Sequence, residues 1–221
     1  MPGTPNPEKW AYDIGTGDWG WGNNEVQYYT NRLANAYVSD GTLKIVAKKE
    51  DYSGSKYTSA RLKTQGKYDF TYGKIEVRAK LPSGVKGIWP AAWMLGSNIT
   101  SVGWPECGEI DIMEYLTRDP EYVYGTFHYP ARHGGNADGN KIKINNPSAQ
   151  FNVFSAEWSA EAIKIYVDGN LIHSLKNDGN LPFNKNFFII LNLALGGNFG
   201  GELDSAFNSA VLEVDYVRVY R

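Results

Sequence analysis

Glu109, Asp111 and Glu114 place three carboxylates within six residues of an apolar run that carries no helix cap. In a strand, side chains alternate faces, so Glu109 and Asp111 share one face and Glu114 points to the other. One bulged residue around Ile112 and Met113 returns Glu114 to the face of the first two. Acids crowded on one face repel one another, and such crowding pushes carboxyl pKa values apart. Hydrolysis of a glycosidic bond uses such a pair, one carboxyl ionised and one protonated. With a bulge, about four strand steps, or ~13 Å, separate the Cα atoms of Glu109 and Glu114. Side chains leaning together approach the ~5–5.5 Å carboxyl spacing of retaining enzymes. Glu109 then serves as nucleophile and Glu114 as general acid and base, although spacing alone leaves the two roles interchangeable. Asp111 orients Glu109 by sharing a proton or hydrogen bond with it. Calcium is the competing use of three acids, but its loops bring Gly, Asn and backbone carbonyls rather than Ile-rich alternation.

Trp89, Trp93 and Trp104 precede the acids within twenty residues. Sugar rings present apolar C–H faces that stack on indole, so all three are candidate platforms for a chain of sugars. Trp89 and Trp104 stand at strand ends marked by Gly and Pro, where a site role suits them. Trp93, inside Ala91-Ala92-Trp93-Met94-Leu95, reads as core packing from its apolar neighbours.

The elements that must hold these residues are strands. Ile75–Leu81, Ile163–Asp168 and Leu212–Tyr220 alternate apolar and polar residues, and Leu43–Lys48, Tyr57–Thr64, Val123–His128 and Phe187–Leu195 are further strand candidates. Asp40-Gly41, Pro82-Ser83-Gly84, Asp168-Gly169-Asn170 and Gly196-Gly197-Asn198 mark turns. No helical stripe, internal repeat or linker interrupts the pattern. The chain therefore reads as one all-β domain over residues 1–221, built of two antiparallel sheets packed face to face. A concave sheet would hold an extended polymer, with Ile110 and Ile112 pointing into the core.

With 221 residues, 42% of them hydrophobic, the chain can bury one substantial core. A net charge of −2 without a basic stripe argues against nucleic acid and anionic membrane as partners. Cys107 is the only cysteine, so no internal disulfide is possible and the compartment cannot be read from cysteine usage. The opening Met1-Pro2-Gly3-Thr4-Pro5-Asn6-Pro7 is not a signal peptide.

The segment Gly103-Trp104-Pro105-Glu106-Cys107-Gly108-Glu109-Ile110-Asp111-Ile112-Met113-Glu114-Tyr115 resembles the signature of glycoside hydrolase family 16, in its laminarinase-like branch with the extra bulged residue. Trp21–Thr30, Tyr57–Arg61, Trp89–Gly96, Gly125–His128, Leu191–Ala194 and Val214–Tyr220 follow in family order. The resemblance implies a β-jelly-roll sandwich with a cleft across its concave sheet. It also implies retaining endo-hydrolysis of β-1,3-glucan or of mixed β-1,3/1,4-glucan. By position, Glu109 matches the nucleophile, Asp111 the assisting acid and Glu114 the acid/base. Trp89 and Trp104 match sugar-stacking indoles, Arg61 and Asn24 polar contacts on the glycone side, and His128 a group near the acid/base, while Asn192 is a further match. The resemblance implies no cofactor for catalysis. A structural Ca²⁺ is implied on the convex side, with Asp215 as ligand and Gly41 as a backbone oxygen donor. The implied protein is a secreted monomer acting on polysaccharide. A transglycosylase and a glucan-binding module without catalysis are the other readings, and the second of these would lack a catalytic Glu.

Three departures stand out. The first strand usual in the family, ahead of the Pro-Asn-Pro region, has no counterpart in this chain. It normally serves the calcium site, and without it an edge strand is expected to be exposed. Phe207-Asn208 replaces a Phe-Pro pair, and Asn198-Phe199 replaces the commoner indole of the Gly-Gly loop. His133 and His173 read as solvated, and Cys107 as a small buried side chain.

Overall fold

The computed structural model describes residues 2–221. Its strands, in chain order, are β1 (Ala11–Asp13), β2 (Tyr28–Tyr29), β3 (Ala36–Ser39), β4 (Thr42–Tyr52), β5 (Ser55–Ser59), β6 (Arg61–Lys63), β7 (Gly73–Lys80), β8 (Ile88–Gly96), β9 (Glu109–Tyr115), β10 (Tyr122–His128), β11 (Asp138–Lys143), β12 (Asn152–Trp158), β13 (Ala162–Val167), β14 (Asn170–Lys176), β15 (Phe187–Leu195) and β16 (Ser209–Tyr220). One sheet has the order β1-β6-β15-β8-β9-β10-β11. The other runs β14-β13-β12-β7-β16-β4-β5-β2, with β3 also on β4. The long strands pair antiparallel and only the short β2 runs parallel to its neighbour β5. This is the β-jelly-roll sandwich expected from the alternation and the motifs.

Alternation is what builds the core. On β7, Ile75, Val77 and Ala79 are fully buried, while Lys74, Glu76, Arg78 and Lys80 alternate with them on the outer face. Those residues meet Phe154, Ile165, Leu212 and Val214 of the same sheet, and Ile110, Ile112, Phe127 and Leu191 of the other. Each side chain of this size contributes about 1.5–3 kcal/mol on leaving water. Three hairpins are closed by pairs with positive φ at both residues, Asp40-Gly41 between β3 and β4, Ser53-Gly54 between β4 and β5, and Asp168-Gly169 between β13 and β14. Their backbone twist matches that of the strands they join.

One element differs from the expectation. Tyr57–Thr64 is not one strand, because β5 belongs to one sheet and β6 to the other. Thr58, Ser59 and Ala60 are buried in succession, which marks the crossing. Alternation continues on both sides of the corner, so apolar periodicity could not reveal it. β16 lies between β7 and β4. Its pairing with β4 stops at Val214, opposite Leu43, and from Tyr216 to Tyr220 its ladder partner is β7 alone.

Candidate active site

β9 lies between β8 and β10, away from either edge of its sheet. Glu109 stands opposite Leu95 and His128, Asp111 opposite Trp93 and Thr126, and Glu114 opposite Ala91 and Tyr124. Between Asp111 and Glu114 the register slips by one residue against both neighbours, so a bulge occupies Ile112–Met113. Ile112 and Met113 both enter the core, and Glu114 returns to the face of Glu109 and Asp111. All three acids line one cleft of about 1040 Å³. Gly108 leads into the strand at φ +76, and a Cβ there would meet Pro182 at 2.9 Å, so this position needs glycine twice over.

Each glutamate is held by a tryptophan. Trp104 donates its indole N–H to Glu109 Oε2 at 2.9 Å, and Trp89 donates to Glu114 Oε1 at 3.1 Å. Thr126 Oγ1 donates to Glu114 Oε2 at 3.3 Å. His128 Nε2 lies 3.3 Å from Asp111 Oδ2 and 3.8 Å from Glu109 Oε1. Asp111 Oδ2 is buried without an aligned hydrogen bond, so no hydrogen bond there offsets the cost of a bare negative charge.

Burial dominates the electrostatics of this trio. Loss of solvent, with Asp111 beside it, pushes Glu109 up to about 8. Loss of solvent also raises Glu114 to about 7, against the pull of His128. Asp111 is raised well above the ordinary Asp range by burial and then by Glu114. The resting cleft therefore retains protons on its carboxyls near neutral pH. By this order Glu114 gives up its proton before Glu109 does.

The remaining candidates fall into place unevenly. Trp93 is on the cleft face beside Asp111, not in the core between the sheets, and donates its N–H to Asn192 at 2.8 Å. Period two decides this, since Ala92 and Met94 are the residues that point inward. Arg61 also lines the cleft, with its guanidinium 4.7 Å from the Trp21 ring and 4.8 Å from the Trp93 ring, and Asp13 pairs with it at 2.9 Å. Asn24 does not line the cleft. Its amide donates to Asn198 at 2.9 Å, tying two loops, while its neighbours Asn23 and Glu25 face the opening. His128 is the ladder partner of Glu109, and its charge also acts on Glu114, so it serves both ends of the acid set. His133 is exposed, as expected, and packs edge-on to Trp104 at 5.3 Å, whereas His173 is half-buried and bonds Asp138 at 3.0 Å.

A buried relay was not anticipated from sequence. Asn192 Nδ2 donates to Tyr29 Oη at 3.0 Å, and Tyr29 donates to Glu25 Oε2 at 3.0 Å. Gln27 donates to the same oxygen at 2.6 Å and accepts from the Leu195 N–H at 2.8 Å. Through Asn192 the relay reaches the Trp93 indole. Its signal was the period-two set Glu25, Gln27, Tyr29, polar tips on one side of an extended segment.

Two places offer metal ligands. Glu109, Asp111 and His128 present ligand atoms within 4.8 Å of one another, among the described residues. Where the resemblance implies calcium, the Asp215 carboxylate is engaged by the Arg78 guanidinium, and Gly41 lies in the β3–β4 turn. One carboxylate already neutralised by a cation is a poor fit to an ion that takes six to eight oxygens.

A jelly roll with bulge-aligned carboxyls in an aromatic-lined cleft defines a carbohydrate-cleaving class of protein. The family model for glycosyl hydrolases family 16 matches residues 18–218, and the chain belongs to that family. A beta-glucanase of Rhodothermus marinus is 45% identical over 99% of this chain and 81% of its own length. A glucan endo-1,3-beta-glucosidase of Cryptopygus antarcticus is 39% identical over 96% of this chain and 86% of its own length. The catalytic domain of an endo-1,3-beta-glucanase (laminarinase) from Thermotoga petrophila superposes with a TM-score of 0.94 at 45% identity, covering 99% of this chain and 93% of that one.

Proposed function

We propose that the protein is an endo-β-1,3-glucanase that cleaves laminarin-type glucan with retention of configuration. The observation that carries this reading is the bulge at Ile112–Met113, which sets Glu109 and Glu114 on one face of an open cleft. Glu109 attacks the anomeric carbon from one side of the sugar ring, and Glu114 protonates the departing oxygen. Water activated by Glu114 then releases the glycosyl group from Glu109. Asp111, raised by burial and set between the two, keeps a proton that it shares with Glu109 as charge moves on and off that carboxyl. Trp89 and Trp104 do double duty, as platforms for sugar rings and as N–H donors that fix the two carboxyls. Two carboxyls supply the acid, the base and the nucleophile, so the mechanism calls for no cofactor. A secreted, monomeric form suits a substrate too large to enter a cell.

The test is a product profile on laminarin, lichenan and cellulose, with Glu109→Ala beside the wild type. Short β-1,3-linked oligosaccharides from laminarin, made by the wild type alone, are the expected result. Cleavage of lichenan would widen the reading to mixed linkage, and products longer than the starting oligosaccharide would show transfer. Binding without cleavage by the wild type would replace the enzyme with a recognition module.

A further inference from the structure

The segment from Gly17 to Asn24 forms the rim of the cleft beside Arg61, and Gly17, Asp18, Trp21 and Gly22 line the opening. Its two indoles are used differently. Trp21 is engaged within the protein. Its ring lies where a Cβ on Gly17 would come within 2.6 Å, the Arg61 guanidinium stacks on it at 4.7 Å, and the Tyr29 ring is 5.6 Å away. Trp19 is 86% exposed, at φ 53 and ψ 41. A bulky side chain seldom takes that left-handed conformation, and an exposed indole gains nothing from packing.

The rim is held in place by its own backbone. The Gly22 N–H donates to Asp18 O at 2.9 Å, the Asn24 N–H to Trp19 O at 2.9 Å, and the Glu25 N–H to Gly20 O at 3.2 Å. Asn24 ties the segment to Asn198 across the gap. The free indole thus stands outside the cleft itself, on an ordered turn whose Asp18 and Trp21 line the opening.

We propose that Trp19 is an outlying platform on which a sugar ring of the bound β-glucan stacks where the chain leaves the cleft over this rim. The inference rests on the β-1,3-glucanase reading and extends it, because only a chain longer than the cleft reaches the rim. A flat indole meets the apolar C–H face of a pyranose without needing any particular hydroxyl, which suits a contact with a continuing polymer. Trp19 therefore favours polymers over short oligosaccharides.

Binding isotherms on insoluble β-1,3-glucan and on β-1,3-glucotriose test this, with the wild-type rim, Trp19→Ala and Trp19→Tyr all compared in the Glu109→Ala background, which stops turnover. The ratio of polymer to trisaccharide affinity should fall about three- to tenfold in Trp19→Ala and recover largely in Trp19→Tyr. An unchanged ratio in Trp19→Ala, with the wild-type rim binding both, sinks the platform and leaves the enzyme reading intact. Equal loss on both ligands would make Trp19 a structural residue. A wild-type rim that binds neither glucan removes the functional reading and the platform together.

Discussion

The Trp89 indole N–H reaches Glu114 Oε1 at 3.1 Å from the neighbouring strand β8. A residue suited to stacking on sugar is thus also the donor that steadies the ionised form of Glu114. Replacing it with phenylalanine keeps a ring and removes the donor. Trp89→Phe should lower kcat/KM about fivefold or more and move the Glu114 titration upward, since a hydrogen bond to the carboxylate holds its pKa down. The pH profile of kcat/KM checks it. A fall in rate with the profile unmoved would leave Trp89 as a platform alone.

Glu109 and Glu114 should fail in different ways. Glu109→Ala is expected to abolish turnover while glucan binding persists, and azide or formate should restore part of the rate as an external nucleophile. Glu114→Ala should cost about 10²–10⁴-fold on natural glucan but far less on aryl glycosides, whose leaving groups need no proton. Equal loss on both substrates would take the acid/base role from Glu114. Near-native turnover by Glu109→Ala would take the nucleophile role from Glu109.

The buried acids should cost stability at neutral pH. Burial lifts Glu114 to about 7 in the fold, whereas an unfolded chain ionises near the ordinary glutamate value. A raised folded pKa means the fold prefers the proton. Its contribution is complete below about pH 4.5 and is lost progressively as pH rises towards 7. Glu114→Gln should therefore be more stable than wild type at pH 8, by up to about 3 kcal/mol, with the gap closing near pH 4. Denaturant titrations at the two pH values measure it. A gap that does not change with pH would mean Glu114 does not titrate as its burial requires.

Activity should follow the same groups. With Glu114 near 7 and Glu109 near 8, one proton is shared by the pair between those values. The kcat/KM profile should be bell-shaped with its maximum in that interval, falling as the second proton binds and as the last one leaves. A maximum below pH 5 would show that the cleft is far better solvated than its burial implies.

Calcium should matter little. Arg78 occupies the Asp215 carboxylate, so chelation with EDTA should leave the melting temperature within about 2 °C of the untreated protein. Asp215→Asn should lose more, because Arg78 loses its charged partner. A rise of several degrees on adding Ca²⁺, absent in Asp215→Asn, would restore the metal site.

The three acids, their flanking tryptophans and the strands around them were legible in the chain because each signal is local. Period two sorts Ile75–Leu81 into faces, and Asp-Gly pairs mark hairpins by their own backbone preference. A bulge at Ile112–Met113 was needed to make sense of Glu114, and the ladders of β8 and β10 place it there. What misled was also local. The apolar neighbours of Trp93 suggested the core, and unbroken alternation hid the change of sheet at Ala60.

By its own order of residues, the sequence determined an all-β chain with two glutamates at bulged spacing and indoles near them. Tertiary structure alone decided that His128 stands across from Glu109, that Arg61 is pressed on Trp21 and Trp93, and that Glu25, Tyr29 and Asn192 form one relay. It also decided the high pKa values of the acids. Periodicity is carried by neighbours along the chain, whereas burial, ion pairs and ladder registers depend on residues brought together from far apart in sequence.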